Sequence, residues 1–186
     1  MSKKKSPQPL ILAIGPASSG KSEWAERLAK DSGKAVSYVA TARENADDRE
    51  WQAKISRHAS RRPREWKTLL VPVDLAATIR TMQEEDCFLV DSVGTWLTNL
   101  LDRSEEEWEE IVMELLESLQ QAKGTVILVG EETGWGLVPT YPIGRTFRDR
   151  LGNLTRRIGA IASSVYLITG GYAIDLAAIG TPLEID

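Results

Sequence analysis

The sequence predicts an α/β domain of three layers built on a mostly parallel sheet. Three observations predict it. Apolar runs of strand length alternate with longer amphipathic segments along the chain. The first run, Leu10 to Ile14, leads directly into the glycine-bearing stretch Gly15-Pro16-Ala17-Ser18-Ser19-Gly20-Lys21-Ser22, and a helical pattern follows at once. Later runs end on a carboxylate or a glycine-rich loop, at Asp91 and Gly130, as strands do when they deliver residues to a ligand at one edge of a wound sheet.

The stretch Gly15–Ser22 fits G-x-x-x-x-G-K-[ST] without a mismatch. In the order strand, loop, helix, its N–H groups converge on phosphate oxygens and the helix N-terminus adds positive field. Lys21 is then the cation for the terminal phosphates, and the Ser22 hydroxyl a ligand for Mg²⁺. Pro16 removes one N–H and fixes one φ, but the donors that matter most lie later in the loop, so phosphate binding is expected to survive it. A plain Gly/Ser turn before an ordinary helix is the other reading, and the flanking strand and helix weigh against it.

After a helix carrying Trp24, Ala25 and Leu28 on one face, Ala35–Ala40 reads as a second strand ending in Thr41-Ala42. A charged helix is expected from Asp47 to Arg57, with Trp51, Ile55 and His58 on one face. The basic run Arg57 to Arg64 breaks at Pro63, and a short strand follows around Trp66 to Val71. Asp74 is expected to cap a helix bearing Leu75, Ile79 and Met82.

Cys87–Asp91 is a buried-strand pattern that presents an acid at its tip, the form expected of the second metal-side element. A core strand that merely ends on a capping Asp is the alternative. Trp96 to Leu101 reads as an apolar helix. Ser104 and Glu107 form a capping box opening a helix with Trp108, Ile111, Val112, Leu115, Leu116 and Leu119 in register. Gly124–Val129 is the next strand, then a loop from Gly130 to Pro139. Arg145 to Ala162 is amphipathic, Val165–Thr169 is a last strand, and the tail from Tyr172 carries no clear pattern.

Composition bounds the possibilities. At 186 residues, 42% apolar, the chain suits one domain with a sizeable core: a basic tail over residues 1–9 and a single nucleotide-binding domain over 10–186. The net charge of -4 argues against nucleic acid as a partner. Cys87, the sole cysteine, is expected as a buried filler. No run reaches transmembrane length, and Lys3 to Lys5 before Leu10 to Ile14 imitates a signal peptide too briefly to be one, so a cytoplasmic location is expected.

His58 is the single imidazole, set among Arg57, Arg61, Arg62 and Arg64. A neutral imidazole there can attack an electrophilic phosphorus while guanidiniums hold phosphate oxygens, and the surrounding positive charge favours the neutral form near neutral pH. A helix-terminal histidine beside a solvated basic run is the alternative, and composition alone leans that way.

The ordered set of motifs goes further. Gly15–Ser22, Tyr38-Val39-Ala40-Thr41-Ala42, Arg57-His58 with Arg62-Pro63 and Trp66, Asp91 with Trp96-Leu97-Thr98-Asn99, Glu132 with Gly134 to Pro139, and Phe147-Arg148-Asp149 with Gly152 resemble the bifunctional adenosylcobinamide kinase/adenosylcobinamide-phosphate guanylyltransferases of cobalamin biosynthesis. The similarity runs from about Leu10 to Gly170. It implies a P-loop enzyme that phosphorylates adenosylcobinamide with a nucleoside triphosphate, ATP or GTP, with Mg²⁺. The enzyme then transfers GMP from GTP through a guanylylated histidine, giving adenosylcobinamide-GDP. By position that histidine is His58. Carried over as nucleotide contacts are Gly15, Pro16, Ala17, Ser18, Ser19, Gly20, Lys21 and Ser22; Ala40, Thr41 and Ala42; Ala59, Ser60, Arg61 and Arg62; and Asp91, which joins Ser22 on the metal. A homotrimer is implied as well.

The chain departs from the family pattern at Pro16, where a second glycine is usual, and at Leu70, where an acid is usual. It also departs at Glu131, where asparagine is usual, and at Thr155-Arg156, where Asn-Gln is usual. Two other readings therefore stay open on sequence: a P-loop small-molecule kinase that never uses His58, and a non-catalytic nucleotide-binding module.

Overall fold

The computed structural model describes residues 9–43 and 62–183. The helix expected over 47–57 falls outside them. In chain order the elements are β1 (Leu10–Gly15), α1 (Lys21–Asp31), β2 (Ala35–Ala40), β3 (Lys67–Leu70), α2 (Leu75–Arg80), β4 (Asp86–Asp91), α3 (Val93–Thr98), α4 (Glu105–Gln120), β5 (Thr125–Glu131), α5 (Pro142–Ile161), β6 (Ser164–Thr169), β7 (Tyr172–Asp175) and α6 (Leu176–Ile179).

The strands form one sheet in the order β3-β2-β4-β5-β1-β6-β7. Every pair is parallel except β6 with β7. Parallel strands buried on both faces read as continuous apolar runs, which is what β1, β4 and β5 show. Successive residues of these strands divide between two cores. Leu12, Phe88, Val90, Val126 and Leu128 join the larger core with α2 to α5, where Trp96, Leu115, Leu151 and Ile158 are fully enclosed. Ala13, Cys87, Leu89, Ile127 and Val129 face the other way, onto Ala25 and Ala29 of α1. Alanines on that helix let its axis approach the sheet closely, and this sets α1, with the glycine loop at its start, against β1, β4 and β5.

Local chemistry explains most of the boundaries. The Ser104–Glu107 capping box is complete, with Ser104 Oγ accepting from Glu107 N at 3.2 Å and Glu107 Oε2 accepting from Ser104 N at 2.9 Å. The strand near Trp66 is shorter than expected because Trp66 N closes a turn onto the Pro63 carbonyl. Asp74 precedes α2 but its side chain does not cap it; instead its carbonyl accepts from Thr78 N and Thr78 Oγ1. The helix expected from Trp96 begins earlier, because Ser92 caps it by accepting from Thr95 N. Helix α5 likewise begins earlier than Arg145, with Pro142 in its first turn, where a missing N–H costs nothing.

The unpatterned tail from Tyr172 supplies β7, which closes a hairpin with β6. Gly170 (φ 58°) and Gly171 (φ 84°) supply the two left-handed residues that a tight turn between antiparallel strands requires. Asp175 then caps α6 by accepting from Ala177 N and Ala178 N. No helix among the described residues is long and apolar enough to cross a membrane.

Replacing Ser104 by Ala removes one half of the capping box and leaves the Glu107 N–H of α4 without its side-chain acceptor. The expected cost is about 1 kcal/mol, read in thermal unfolding as a fall of about 2–4 °C.

Candidate active site

Strand β1 carries the chain into the glycine loop at the C-terminal edge of the sheet. Gly15 has no room for a Cβ, which would run into the Ile168 carbonyl and Ser19 Oγ. Ser18 (φ 59°) and Gly20 (φ 93°) are both left-handed, and between them they fold the loop back over the start of α1. The Pro16 carbonyl gathers the loop, accepting from Ser19 N at 3.3 Å and from Lys21 Nζ at 3.1 Å. Proline thus contributes through its acceptor while lacking a donor. Gly20 is the N-cap of α1 and brings no side chain to the first-turn N–H groups, so the helix end is shaped for an anion rather than for its own cap. Lys21 is buried, and Ser19 Oγ is buried with no partner among the described residues.

Asp91 ends β4 two strands away from β1, with β5 between them. By alternation it follows Cys87 and Leu89 onto the face covered by α1, the face of Lys21 and Ser22. On the neighbouring strand Tyr38 pairs with Leu89, which makes it the diagonal neighbour of Asp91 on the same face. Its hydroxyl donates to Asp91 Oδ2 at 3.1 Å. Burial, reinforced by the Asp91 charge, pushes the Tyr38 phenol far above its ordinary value, so it remains a donor throughout the working pH range. Over the other side of the ring lies the Arg62 guanidinium, its carbon 3.3 Å from the ring centroid.

A second polar layer ties the strand tips together. Thr41 Oγ1 donates to the Ser92 carbonyl at 2.8 Å and accepts from Ser92 N at 2.9 Å, fully buried. Ser92 Oγ donates to Glu131 Oε1, and Gly94 N donates to Glu131 Oε2 at 3.0 Å. Glu131 ends β5 beside Gly15, and its carboxylate is directed onto the start of α3. Gly94 has no room for a side chain beneath it. Asn99 Nδ2 donates to the carbonyls of Thr41 and Pro72 at 2.8 and 2.9 Å, and Trp96 Nε1 donates to Val73 O at 2.8 Å. The Trp-Leu-Thr-Asn segment is therefore a brace between α3, the end of β2 and the β3–α2 connection.

Beyond β5, Gly134 is held from both sides, its N–H by Glu132 and its carbonyl by Arg148 at 2.7 Å. That loop and the first turn of α5 expose Trp135, Leu137, Val138, Tyr141 and Ile143. Leu70 is exposed at the end of β3. Thr155 on α5 turns its hydroxyl back to the Leu151 carbonyl at 2.9 Å.

Of the residues expected at the site, the structure brings together Gly15–Ser22, Ala40, Thr41, Asp91 and Arg62 at the same edge of the sheet. The Thr41 hydroxyl is engaged with Ser92. His58, Ala59, Ser60 and Arg61 lie outside the described residues. Tyr38, Ser92 and Arg148 had no expected role; only the lateral order of the strands reveals the first two. Ser22 and Asp91 are hard oxygen donors on one face, a set that suits Mg²⁺, which keeps much of its water and takes few protein ligands beside phosphate.

The Glu131 geometry bears on phosphate binding. Because both carboxylate oxygens already accept hydrogen bonds from α3, Glu131→Asn should leave GTP affinity within about tenfold, or 1.4 kcal/mol. It should cost about 1–2 kcal/mol of stability through the lost acceptor. Isothermal titration and thermal melts check the two; a much larger tightening of GTP would mean that the carboxylate opposes the phosphates.

Comparison with known proteins shows the family. Residues 11–176 match the family described as cobinamide kinase / cobinamide phosphate guanyltransferase. The bifunctional adenosylcobalamin biosynthesis protein CobP of Pseudomonas aeruginosa is 43% identical over 178 residues, covering 92% of this chain and 98% of that protein. The CobU proteins of Salmonella typhimurium and Escherichia coli, with the same description, are 33% and 34% identical over 90% of this chain and 99% of their own lengths. Among solved structures, a Pyrococcus horikoshii OT3 protein superposes with a TM-score of 0.55 at 6% identity, over 91% of this chain and 86% of that one. A type III secretion ATPase superposes at 0.54 and 13% identity, over 91% of this chain and 52% of that one. These last two speak to the fold alone, a mostly parallel α/β sheet. The chain belongs to the cobinamide kinase/cobinamide phosphate guanyltransferase family.

Proposed function

We propose that this chain carries both activities of its family on one sheet edge. It phosphorylates the hydroxyl of adenosylcobinamide from ATP or GTP, then transfers GMP from GTP to the new phosphate through His58. The observation that carries this reading is the convergence of Lys21, Asp91 and Arg62 at the C-terminal ends of β1, β4 and the chain beside β2. A phosphate loop, a strand-end acid and an arginine on one sheet edge are what a single nucleotide site would need.

In the first reaction Lys21 and the loop N–H groups hold the triphosphate in line with the substrate oxygen. Mg²⁺, held by Ser22 and Asp91, would supply positive charge to the phosphoryl oxygens. In the second, a ring nitrogen of neutral His58 attacks the α-phosphorus of GTP. A P–N bond forms, the P–O bond to pyrophosphate breaks, and pyrophosphate leaves with the electron pair. A phosphate oxygen of the corrinoid then attacks the same phosphorus and expels the histidine. Arg62, with Ala59 to Arg61 before it, serves the α-phosphate and the leaving pyrophosphate.

The whole of 10–186 acts in this proposal as one nucleotide-binding domain, in the cytoplasm, on small molecules rather than nucleic acid. A homo-oligomer, a trimer by the family pattern, fits the exposed apolar loop from Trp135 to Ile143.

Lys21→Ala removes a charge-assisted phosphate contact worth about 2–4 kcal/mol in the reacting complex. Calorimetry with Mg-nucleotide and a phosphoryl-transfer assay should both show the loss, and unchanged values would overturn the loop assignment. Incubation with Mg²⁺ and α-labelled GTP should add one GMP mass to the peptide containing Arg57-His58-Ala59, acid-labile and base-stable, while γ-labelled GTP leaves none. His58→Ala should abolish that adduct and leave the kinase step. No adduct under conditions where GTP binds would reduce the protein to a simple kinase.

A further inference from the structure

The loop that follows β5 springs from the phosphate loop itself. Glu132 N donates to the Gly15 carbonyl at 2.9 Å, which hydrogen-bonds the first residue of one to the first residue of the other. Further hydrogen bonds fix its backbone. Glu132 Oε1 accepts from Gly134 N, and the Gly134 carbonyl accepts from Arg148, both at 2.7 Å. Arg145 Nη1 donates to the Thr140 and Pro139 carbonyls at 2.8 and 3.2 Å. The apolar side chains point away from these anchors into solvent: Trp135 is 65% exposed, Leu137 96% and Val138 64%, with Tyr141 and Ile143 exposed beside them. Of the ten large apolar side chains exposed among the described residues, these five fall between 135 and 143, and the other five are scattered over β3, α4 and the C-terminal elements. Scattered apolar side chains are ordinary on a surface, whereas a patch of them on a fixed backbone marks a place where something binds.

We propose that this loop, through Trp135, Leu137 and Val138, is the seat of the corrin ring of the second substrate. The proposal deepens the function proposed above and rests on it. Phosphates are met by N–H groups and Lys21, so the nucleotide leaves an apolar surface unused. A corrinoid has the opposite need, because its ring presents broad apolar faces and carries the reacting hydroxyl on a side arm. An indole and two aliphatic side chains on a pinned backbone suit such a face, at little ordering cost on binding. The place matters as much as the chemistry. A seat for a reacting molecule must begin where phosphate is delivered, and this one begins at Gly15. Contact between the loop and the ring would hold the hydroxyl arm over the phosphate loop, so binding energy far from the reacting atoms serves to place them. A second copy of the chain is the other occupant an apolar loop admits, but contact between copies has no need to start at the phosphate loop.

Dicyanocobinamide serves as the probe, since its visible absorption reports binding in equilibrium dialysis without turnover. With Mg²⁺ and β,γ-imido-ATP present, Trp135→Ser combined with Leu137→Ser should raise its dissociation constant about 10- to 100-fold, the scale of withdrawing large apolar side chains from a ligand. Trp135→Phe keeps an aromatic face and should stay within about threefold of wild type. Calorimetry on the same proteins should give Mg-nucleotide affinities equal to wild type. The replaced side chains are exposed and support little of the fold; should the double variant still fold poorly, Leu137→Ser alone keeps the test decisive, with a rise of about 3- to 10-fold. Sedimentation of each variant separates the two occupants. Weakened cobinamide binding with assembly unchanged supports the seat. An unchanged dissociation constant overturns it, and so does a loss that is reversed when higher protein concentration restores assembly, which gives the loop to contacts between copies. If wild type binds Mg-nucleotide but no cobinamide, the proposed function falls together with this inference. If wild type binds cobinamide and the loop variants bind it equally well, only the seat is lost.

Discussion

Parallel pairing of β1 with β5, and of β5 with β4, sets the width of this site. The phosphate loop and Asp91 stand two strand spacings apart, about 9–10 Å in the hydrogen-bonding direction. That span suits a phosphate chain reaching from Lys21 to a metal beside Asp91, and it is fixed by backbone ladders buried on both faces. No side chain at the site could hold the separation as firmly, because rotamers move and ladders do not. The short side chains of Ala25 and Ala29 complete the frame by letting α1 lie close to the sheet.

Strand tips are the weak point of such a frame, since each ends in unpaired polar backbone next to solvent. Here they are sewn to one another. Thr41 joins β2 to the residue after β4, Glu131 joins β5 to the start of α3, and Asn99 joins α3 back to Thr41. A buried network of this kind is strong only while every member is satisfied, so loss of one partner leaves its neighbour with an unmet donor or acceptor. Trp96 and Asn99 of the linear motif act as braces.

Much of this could be read from the sequence. The glycine loop, the acid closing Cys87–Asp91 and the capping box are local patterns, decided by neighbours within one turn or one strand, and each stands where expected. Asp74 misled because an acceptor before a helix need not reach its N–H groups. The hairpin after Thr169 was signalled by Gly170-Gly171, a pair that favours a two-residue turn, although the following Tyr172–Asp175 has too little pattern to announce a strand. The roles of Tyr38 and Glu131 were not readable at all. They depend on which strand lies beside which, and lateral order leaves no mark on a single strand's own residues. Glu131 stands in the sequence only as a departure from the family pattern, and its partners Ser92 and Gly94 show where the carboxylate lies.

Pro16 has a consequence of its own. A glycine in its place would leave the loop free to sample many shapes, and each nucleotide captured would then have to freeze one of them. Proline fixes its own φ and presents a carbonyl that both Ser19 and Lys21 already hold. The ordering is therefore accomplished when the chain folds, not when the ligand arrives, a shift of about 0.4–1 kcal/mol from one event to the other. Capture of a nucleotide by this loop should accordingly carry a smaller entropic penalty and depend less steeply on temperature than capture by a loop with two adjacent glycines.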